Sequence, residues 1–204
     1  MPRMVNPKKR LLLMWLSAAW AGAATAANAP GAVGSVVVEP VGFANYPIPS
    51  RAIELAYFLP QDGALALNYS RGSTDLLLAN YRVDLLLLRY NYPIGALTHI
   101  KLGGGARSLN YQYKVRSGAE ETAATASSTT LVTEASFGNQ VSIGPVIFGC
   151  DWLGFVVPLL KIASKSHFPD DTDDSERRDD EGALAAATFS TTMQFMRVFI
   201  GVTF

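Results

Sequence analysis

Strict alternation along the last twelve residues, MQFMRVFIGVTF (193–204), is the feature that most restricts the fold of this chain. Successive side chains of an extended strand point to opposite faces. One face here is wholly apolar and consists of Met196, Val198, Ile200, Val202 and Phe204. The other face is mixed and carries Arg197. Such a strand suits a soluble sheet with its apolar face inward, or a membrane barrel with that face towards lipid.

The amino terminus has the order of a secretory signal. Basic residues (Arg3, Lys8, Lys9 and Arg10) precede an apolar stretch, which gives way to small residues. An A-x-A pattern predicts cleavage after Ala26, so we expect residues 1–26 to be a signal peptide and residues 27–204 the mature protein. An uncleaved membrane anchor is the alternative, although the apolar run with small residues at its end suits a signal better.

Charge and cysteine content exclude several classes. Cleavage would leave 13 basic and 17 acidic residues, a net charge of about −4. A nucleic-acid partner is not expected, because the chain lacks a basic surface that could replace phosphate counterions. Cys150 is the only cysteine, so no internal disulfide can form.

No stretch after residue 26 is long enough for a transmembrane helix. The longest apolar run, WLGFVVPLL at residues 152–160, has nine residues, whereas a helix needs roughly 20 to cross a bilayer. An exported, apolar chain with alternating segments leaves a periplasmic β-sandwich or an outer-membrane barrel.

Turn residues divide the mature chain into about eight alternating segments. The predicted short turns are PQDG, NYPIGA and CDWLG, at 60–63, 91–96 and 150–154. Two long polar loops are predicted near residues 117–130 and 167–182, with a short helix at 183–187. The apolar phase slips at Gly103, Gly104 and Gly105, which predicts a bulge there. Short turns at one end and long loops at the other favour a transmembrane barrel.

The carboxy terminus resembles a known signature. A final aromatic residue with apolar residues at alternate positions before it is similar to the last strand of bacterial outer-membrane β-barrel proteins, and this segment consists of Val198, Ile200, Val202 and Phe204. The resemblance implies an all-β, antiparallel, transmembrane up-and-down β-barrel of about eight strands in a Gram-negative outer membrane. It also implies that the barrel assembly machinery reads this segment, and that outer-membrane lipid and lipopolysaccharide surround a monomer.

Charged residues predicted to face the lumen are the main candidate site: Glu39, Glu54, Arg82, Asp84, Lys101, Glu134 and Arg197. A barrel of about eight strands is just wide enough for side chains to fill it. A salt-bridge network that plugs the lumen is therefore the favoured interpretation. A narrow conduit is the alternative, for small or apolar solutes that would pass Leu86, Leu88 and Phe199.

Other chemistry has weak sequence support. The acidic stretch 170–181 could bind divalent cations, but it lacks the glycine of a calcium-binding loop. Ser166 and His167 could serve a lipid A-modifying barrel enzyme, although no acid is placed to orient the histidine. His99 is predicted to lie at the periplasmic interface. We therefore expect no enzyme activity and no cofactor or metal, and a structural or surface-interaction role in the outer membrane.

Overall fold

The computed structural model describes residues 32–44, 48–60, 63–76, 79–95, 97–117, 120–167 and 174–204. The predicted signal peptide, residues 1–26, lies outside these ranges. Within them the chain forms eight antiparallel strands and one helix. In chain order they are β1 (Gly34–Ala44), β2 (Ile48–Phe58), β3 (Ala64–Leu76), β4 (Ala79–Pro93), β5 (Thr98–Ser117), β6 (Glu120–Ile143), β7 (Val146–His167), α1 (Asp174–Phe189) and β8 (Thr192–Thr203).

The strands form a closed barrel in which each strand pairs with its neighbours in sequence and β8 pairs with β1. Ser35 lies opposite Thr203 in this closing pair. The backbone N–H groups of Val33 and Gly34 donate to the Phe204 carbonyl at 2.6 and 3.1 Å. The predicted role of the last segment as the closing strand is therefore confirmed, and closure removes the exposed sheet edges.

The barrel has an apolar exterior and a mixed interior, as β3 shows. Leu65, Leu67 and Tyr69 point outward and are 38–50% exposed, whereas the alternate residues Ala66 and Asn68 are at most 1% exposed. Water would penalise such an apolar exterior, but lipid favours it. Among the described residues, no helix has the length and apolar character needed to cross a membrane. The chain is a transmembrane β-barrel of the outer-membrane type, which confirms the predicted fold class.

Strand length divides the barrel into two parts. β1, β2, β3 and β8 have 11–13 residues, whereas β5, β6 and β7 have 20, 24 and 22. A membrane-spanning strand needs roughly 9–11 residues, so β5–β7 project well beyond the bilayer. They do so at the end opposite Phe204, which is the extracellular end by the usual asymmetry of such barrels.

The predicted loop at 117–130 is wrong, because β6 begins at Glu120 and pairs with β5 from the outset. The polar composition of residues 117–130 suggested a loop, but a strand above the membrane needs no apolar outer face. The second predicted loop, 167–182, is wrong in its later part, because α1 begins at Asp174 and the expected helix at 183–187 is its continuation. Acidic residues favour a helix amino terminus and alanine favours its interior. Residues 168–173 lie outside the described ranges.

Two further expectations about turns are also wrong. CDWLG lies inside β7, and the β6–β7 turn is instead at 144–145, where Gly144 has a φ of 59°, a left-handed conformation that favours glycine. The predicted bulge at 103–105 does not occur, since β5 pairs with β4 and β6 without a register shift. The apolar phase slips because Leu109 faces inward and is buried in the lumen.

Candidate functional site

The candidate site is a group of eight buried ionisable side chains inside the barrel, here called the interior charge cluster. Each is at most 4% exposed. Seven of the eight strands contribute a member, and β3 adds the amide of Asn68. The members are Glu39, Glu54, Arg89, His99, Lys101, Glu134, Asp151 and Arg197.

Arg89 is the centre of one half of the cluster. Its guanidinium makes a two-pronged contact with Glu134, with Nε donating to Oε2 at 2.5 Å and Nη2 donating to Oε1 at 2.6 Å. Its Nη1 donates to Oε2 of Glu54 at 2.9 Å. The other oxygen of Glu54 accepts from Asn91 at 3.0 Å. The planar guanidinium thus joins β4 to β2 and β6 across the lumen.

Asp151 is the centre of the other half. Its Oδ2 accepts from Arg197 Nη2 at 2.7 Å and from Lys101 Nζ at 3.0 Å. A 2.6 Å hydrogen bond joins its Oδ1 to Nε2 of His99. Arg197 Nη2 also lies 3.4 Å from Oε1 of Glu134, and this contact connects the two halves.

Irregularities in adjacent strands aim these groups inward. The register shifts between Glu39 and Gly42 in β1, and the pairing of β6 with β7 shifts between Phe137 and Gly138. In β8, Met196 has a φ of 47°, a left-handed conformation uncommon for a residue with a side chain. Because of this change of phase, Gln194 and Arg197 are both buried although they lie three residues apart.

Glycines make room for the two large cations. A Cβ at Gly42 would lie 2.9 Å from Cγ of Arg197, and a Cβ at Gly103 would lie 3.0 Å from Cγ of Arg89. Real Cβ atoms essentially never approach closer than 3.0 Å. The sequence therefore leaves space for each arginine stem on a neighbouring strand.

The cluster is close to electrically balanced, with four carboxylates against two arginines, one lysine and one histidine. Apolar side chains enclose it on both sides. Leu85, Leu87, Val132 and Val156 pack on the extracellular side, and Phe199 packs on the periplasmic side with Val37 and Ile147. The ring of Phe199 has its centroid 4.6 Å from Nζ of Lys101. Such an arrangement crosslinks the strands through the lumen.

Arg107 holds the chain across the extracellular mouth of the lumen. Its Nη1 donates to the carbonyl of Ser190 and to Oγ1 of Thr192, both at 2.9 Å, and its Nη2 donates to the carbonyl of Thr188. The hydroxyl of Thr188 donates to Ser128 Oγ at 2.8 Å. The carboxyl end of α1 is thereby tied to β5 and β6.

Little space remains between the Arg107 contacts and the cluster. A cavity there has a volume of about 20 Å³ and is lined by residues that include Leu85, Arg107, Val156 and Arg197. This volume accommodates about one water molecule. The described lumen is filled at this level.

Five of the seven predicted lumen charges lie in the cluster, namely Glu39, Glu54, Lys101, Glu134 and Arg197. The other two, Arg82 and Asp84, face outward, and this part of the prediction is wrong. The reason lies in the phase of β4, in which Leu85 and Leu87 are buried and Leu86 and Leu88 are exposed. The predicted lining of a conduit by Leu86 and Leu88 is wrong for the same reason, whereas Phe199 does face inward.

Sequence reasoning missed Arg89, Asp151 and His99. The inward position of Arg89 could have been predicted from Tyr90 and Tyr92, whose rings stack on the outer face with centroids 6.4 Å apart. Because strand side chains alternate, the residue before Tyr90 must then face the lumen. Asp151 was not predicted to face the lumen, because residues 150–154 were predicted to form a turn and not part of a strand. His99, expected at the interface, is 3% exposed and bonded to Asp151.

The remaining candidates lie elsewhere. Ser166 and His167 pair with Ala126 and Thr125 respectively and so point to opposite faces of β7, which separates a nucleophile from its base. No group of three metal-ligating side chains occurs in the described part of the chain. The acidic stretch 170–181 falls partly outside it, so cation binding there stays an untested alternative. The predicted assembly segment faces outward, with Val198, Ile200, Val202 and Phe204 at 41–61% exposure.

No protein-family model matches the chain, and no curated protein matches it in sequence. Among solved structures it is similar to Ail, the attachment invasion locus protein of Yersinia pestis, at 9% identity over 84% of this chain and 94% of that one, with a TM-score of 0.48. It is also similar to CarO of Acinetobacter baumannii, at 14% identity over 87% and 100%, with a TM-score of 0.46. The amino-terminal β-barrel domain of Pseudomonas aeruginosa OprF gives 13% identity over 84% and 99%, with a TM-score of 0.42. What this chain does must be inferred from its own side chains.

Proposed function

We propose that the protein is a closed outer-membrane barrel with a structural or surface-interaction role rather than a pore. The observation that carries this proposal is the filled lumen. The interior charge cluster crosslinks the strands at one level, an apolar layer lies above it, and Arg107 holds the end of α1 over that layer. The barrel would thus serve as a rigid base for the projecting parts of β5–β7 and for α1.

Single-channel recording of the refolded mature protein, residues 27–204, in a planar bilayer tests this proposal. The heat-dependent electrophoretic shift of folded barrels would verify folding in each sample. We expect no steady conductance, because an ion would have to displace paired charges in a space that holds about one water molecule. Arg82→Ala is the matched control, since Arg82 lies on the outer face and its removal should leave the lumen closed. Steady conductance of the folded wild-type protein would overturn the proposal and favour the narrow conduit.

We further propose that the barrel assembly machinery reads the outward segment Val198, Ile200, Val202 and Phe204. Its support is the position of these side chains on the exposed face of the closing strand. Phe204→Ala should lower the amount of folded protein in the outer membrane, measured by quantitative immunoblot. Phe148→Ala, which removes an outward aromatic side chain from β7, is the control. Equal loss in both variants would indicate a general requirement for aromatic residues at the lipid surface.

A further inference from the structure

A polar surface lies on the outside of β4–β7, beyond the apolar band of the barrel. On these four strands the outward side chains are mostly apolar up to one cross-strand row, formed by Leu86, Ala106, Leu131 and Leu160. The exposed Thr133 below this row donates its hydroxyl hydrogen to the Gly103 carbonyl at 3.0 Å. The next outward row towards the extracellular end contains Asp84, Ser108, Thr129 and Ala163. The outward residues of β4, β5 and β6 therefore change from lipid-facing to water-facing within one row, and β7 does so one row further on, at Lys165.

Two further rows form a groove, here called the outer groove. The first row contains Arg82, Asn110, Ser127 and Lys165, and the second contains Asn80, Gln112, Thr125 and His167. All eight residues line one concave space of about 1070 Å³ on the projecting sheet. That volume is in the range of sites that hold a ligand of several hundred daltons.

The described residues of the outer groove include basic side chains and no acidic ones. Arg82 and Lys165 stand at the two ends of the first row, and His167 ends the second. The positions between them carry hydroxyl and amide groups, and none of the described residues that line the groove is acidic. The whole chain, by contrast, has as many acidic as basic residues.

The neighbouring outer surface continues this basic character. Arg51 lies opposite Arg71 on β2 and β3, and both are exposed. Asp84 is shared between two guanidinium groups, with Nε of Arg71 at 2.7 Å and Nε of Arg82 at 2.8 Å. One carboxylate thus faces two arginines, and an arginine has five N–H donors. This arrangement leaves donor capacity for an additional anion.

The height of the groove relates it to the membrane. Arg82 lies four residues beyond Leu86, which is roughly 13 Å along a strand and about 10 Å above the apolar band at the usual tilt of 35–45°. Lipid headgroups occupy this zone next to the hydrocarbon core. A ligand in the groove could keep its acyl chains against the apolar row that ends in Leu86, Leu131 and Leu160.

We propose that the outer groove binds the phosphorylated sugar headgroup of a glycolipid in the outer leaflet. Arg82 and Lys165 contact phosphate oxygens, while the hydroxyl and amide groups between them bond the sugar hydroxyls. The continuity of the groove with the lipid-facing surface favours an anchored lipid over a free sugar phosphate. This inference goes beyond the proposed function and does not depend on whether the lumen conducts.

Native mass spectrometry of the refolded protein in detergent micelles tests the inference. The probes are bis-phosphorylated lipid A, the same lipid without phosphates, and soluble glucosamine 1-phosphate. The wild-type protein should retain the phosphorylated lipid, and Arg82→Ala/Lys165→Ala should weaken this binding at least tenfold, since contacts between charged groups are the strong ones. Asn110→Asp, which places a carboxylate between the two cations at an exposed position, should weaken it as well.

Arg178→Ala is the control, because Arg178 is an exposed cation of α1 that does not line the groove. The Arg178→Ala variant should bind the phosphorylated lipid with the affinity of the wild type. All variants should keep the electrophoretic shift of a folded barrel. Equal affinity of the double variant and the wild type would overturn the proposal. So would equal binding of the lipid with and without phosphates, or binding of glucosamine 1-phosphate as tight as that of the lipid.

Discussion

Arg89 and Arg82 lie on the same strand, seven residues apart and on opposite faces, and their surroundings differ in one decisive respect. Arg89 is fully buried and contacts the carboxylates of Glu134 and Glu54. Arg82 is about half exposed and shares a single carboxylate, Asp84, with Arg71. Within the interior charge cluster each cation is matched by acids, whereas on the outer face Arg71 and Arg82 share the single acid Asp84.

Pairing with acids distinguishes structural from functional charge in such a barrel. A buried charge without a partner is costly, so the cations of the interior charge cluster are paired with acids, and the buried Arg107 is bonded to carbonyl and hydroxyl oxygens. A cation at the membrane surface is solvated and needs no partner, so an excess there is available for an anionic ligand. The interior charge cluster is therefore interpreted as structure and the outer groove as a binding surface.

The largest expected effect separates the two arginines directly. Arg89→Ala should lower the free energy of unfolding by about 3–5 kcal/mol, because it leaves Glu134 and Glu54 buried without their main cation. Arg82→Ala should change it by less than about 1 kcal/mol, since the pair with Asp84 is partly exposed. Urea titration of both variants in lipid vesicles provides the measurement. Similar losses in the two variants would contradict the distinction between inner and outer charges.

Arg107 tests whether the closed mouth depends on one side chain. Arg107→Ala should remove charged hydrogen bonds to the Thr188 and Ser190 carbonyls and weaken local stability by about 2 kcal/mol. Amide hydrogen exchange at the carboxyl end of α1 should then become roughly 30-fold faster. Arg178→Ala is the control, because it alters an exposed position of the same helix. Unchanged exchange in Arg107→Ala would show that other contacts hold the helix.

Two adjacent glycines test the space reserved for Arg89. A Cβ at Gly103 would lie 2.7 Å from the Leu88 carbonyl oxygen and 3.0 Å from Arg89 Cγ, so Gly103→Ala should cost about 1–3 kcal/mol. At Gly104 the nearest atom is the Val132 carbonyl oxygen at 3.4 Å, and Gly104→Ala should stay within about 0.5 kcal/mol of the wild type. The same urea titration compares them. A loss at Gly104 as large as at Gly103 would refute the assigned faces of β5.

Salt provides the smallest expected difference. Raising the ionic strength from 0.1 to 1 M shortens the screening length from about 10 to about 3 Å. The coupling energy between Arg71 and Asp84, at most about 1 kcal/mol, should then largely vanish. That between Lys101 and Asp151 should persist, because both side chains are at most 3% exposed. Double-mutant cycles at the two salt concentrations measure both couplings, and loss of the inner one would place water within the cluster.

Much of the fold could be predicted from the sequence because alternation reports faces directly. The terminal strand, the closed barrel and five lumen charges follow from it. Alternation does not show which face is inward where both faces are apolar, as at residues 85–88. Arg82 and Asp84 were consequently predicted to face the lumen. The turn predicted at residues 150–154 lies inside β7, so Asp151 was not recognised as a strand residue. The outer groove could not be predicted, because it depends on the register of four strands, which single-strand patterns do not give.

Closure of the barrel between its first and last strands has a consequence for the order of assembly. Arg197, from β8, lies within 4 Å of carboxylates on β1, β6 and β7. Until β8 is in place, Glu39 and Asp151 lack this cation while they line a sheet that is still open to water. Pairing of β8 with β1 and β7 therefore brings in the Arg197 guanidinium and its hydrogen bond to Asp151 in a single step. The electrostatics of the lumen favour completion of the barrel over any intermediate with seven strands.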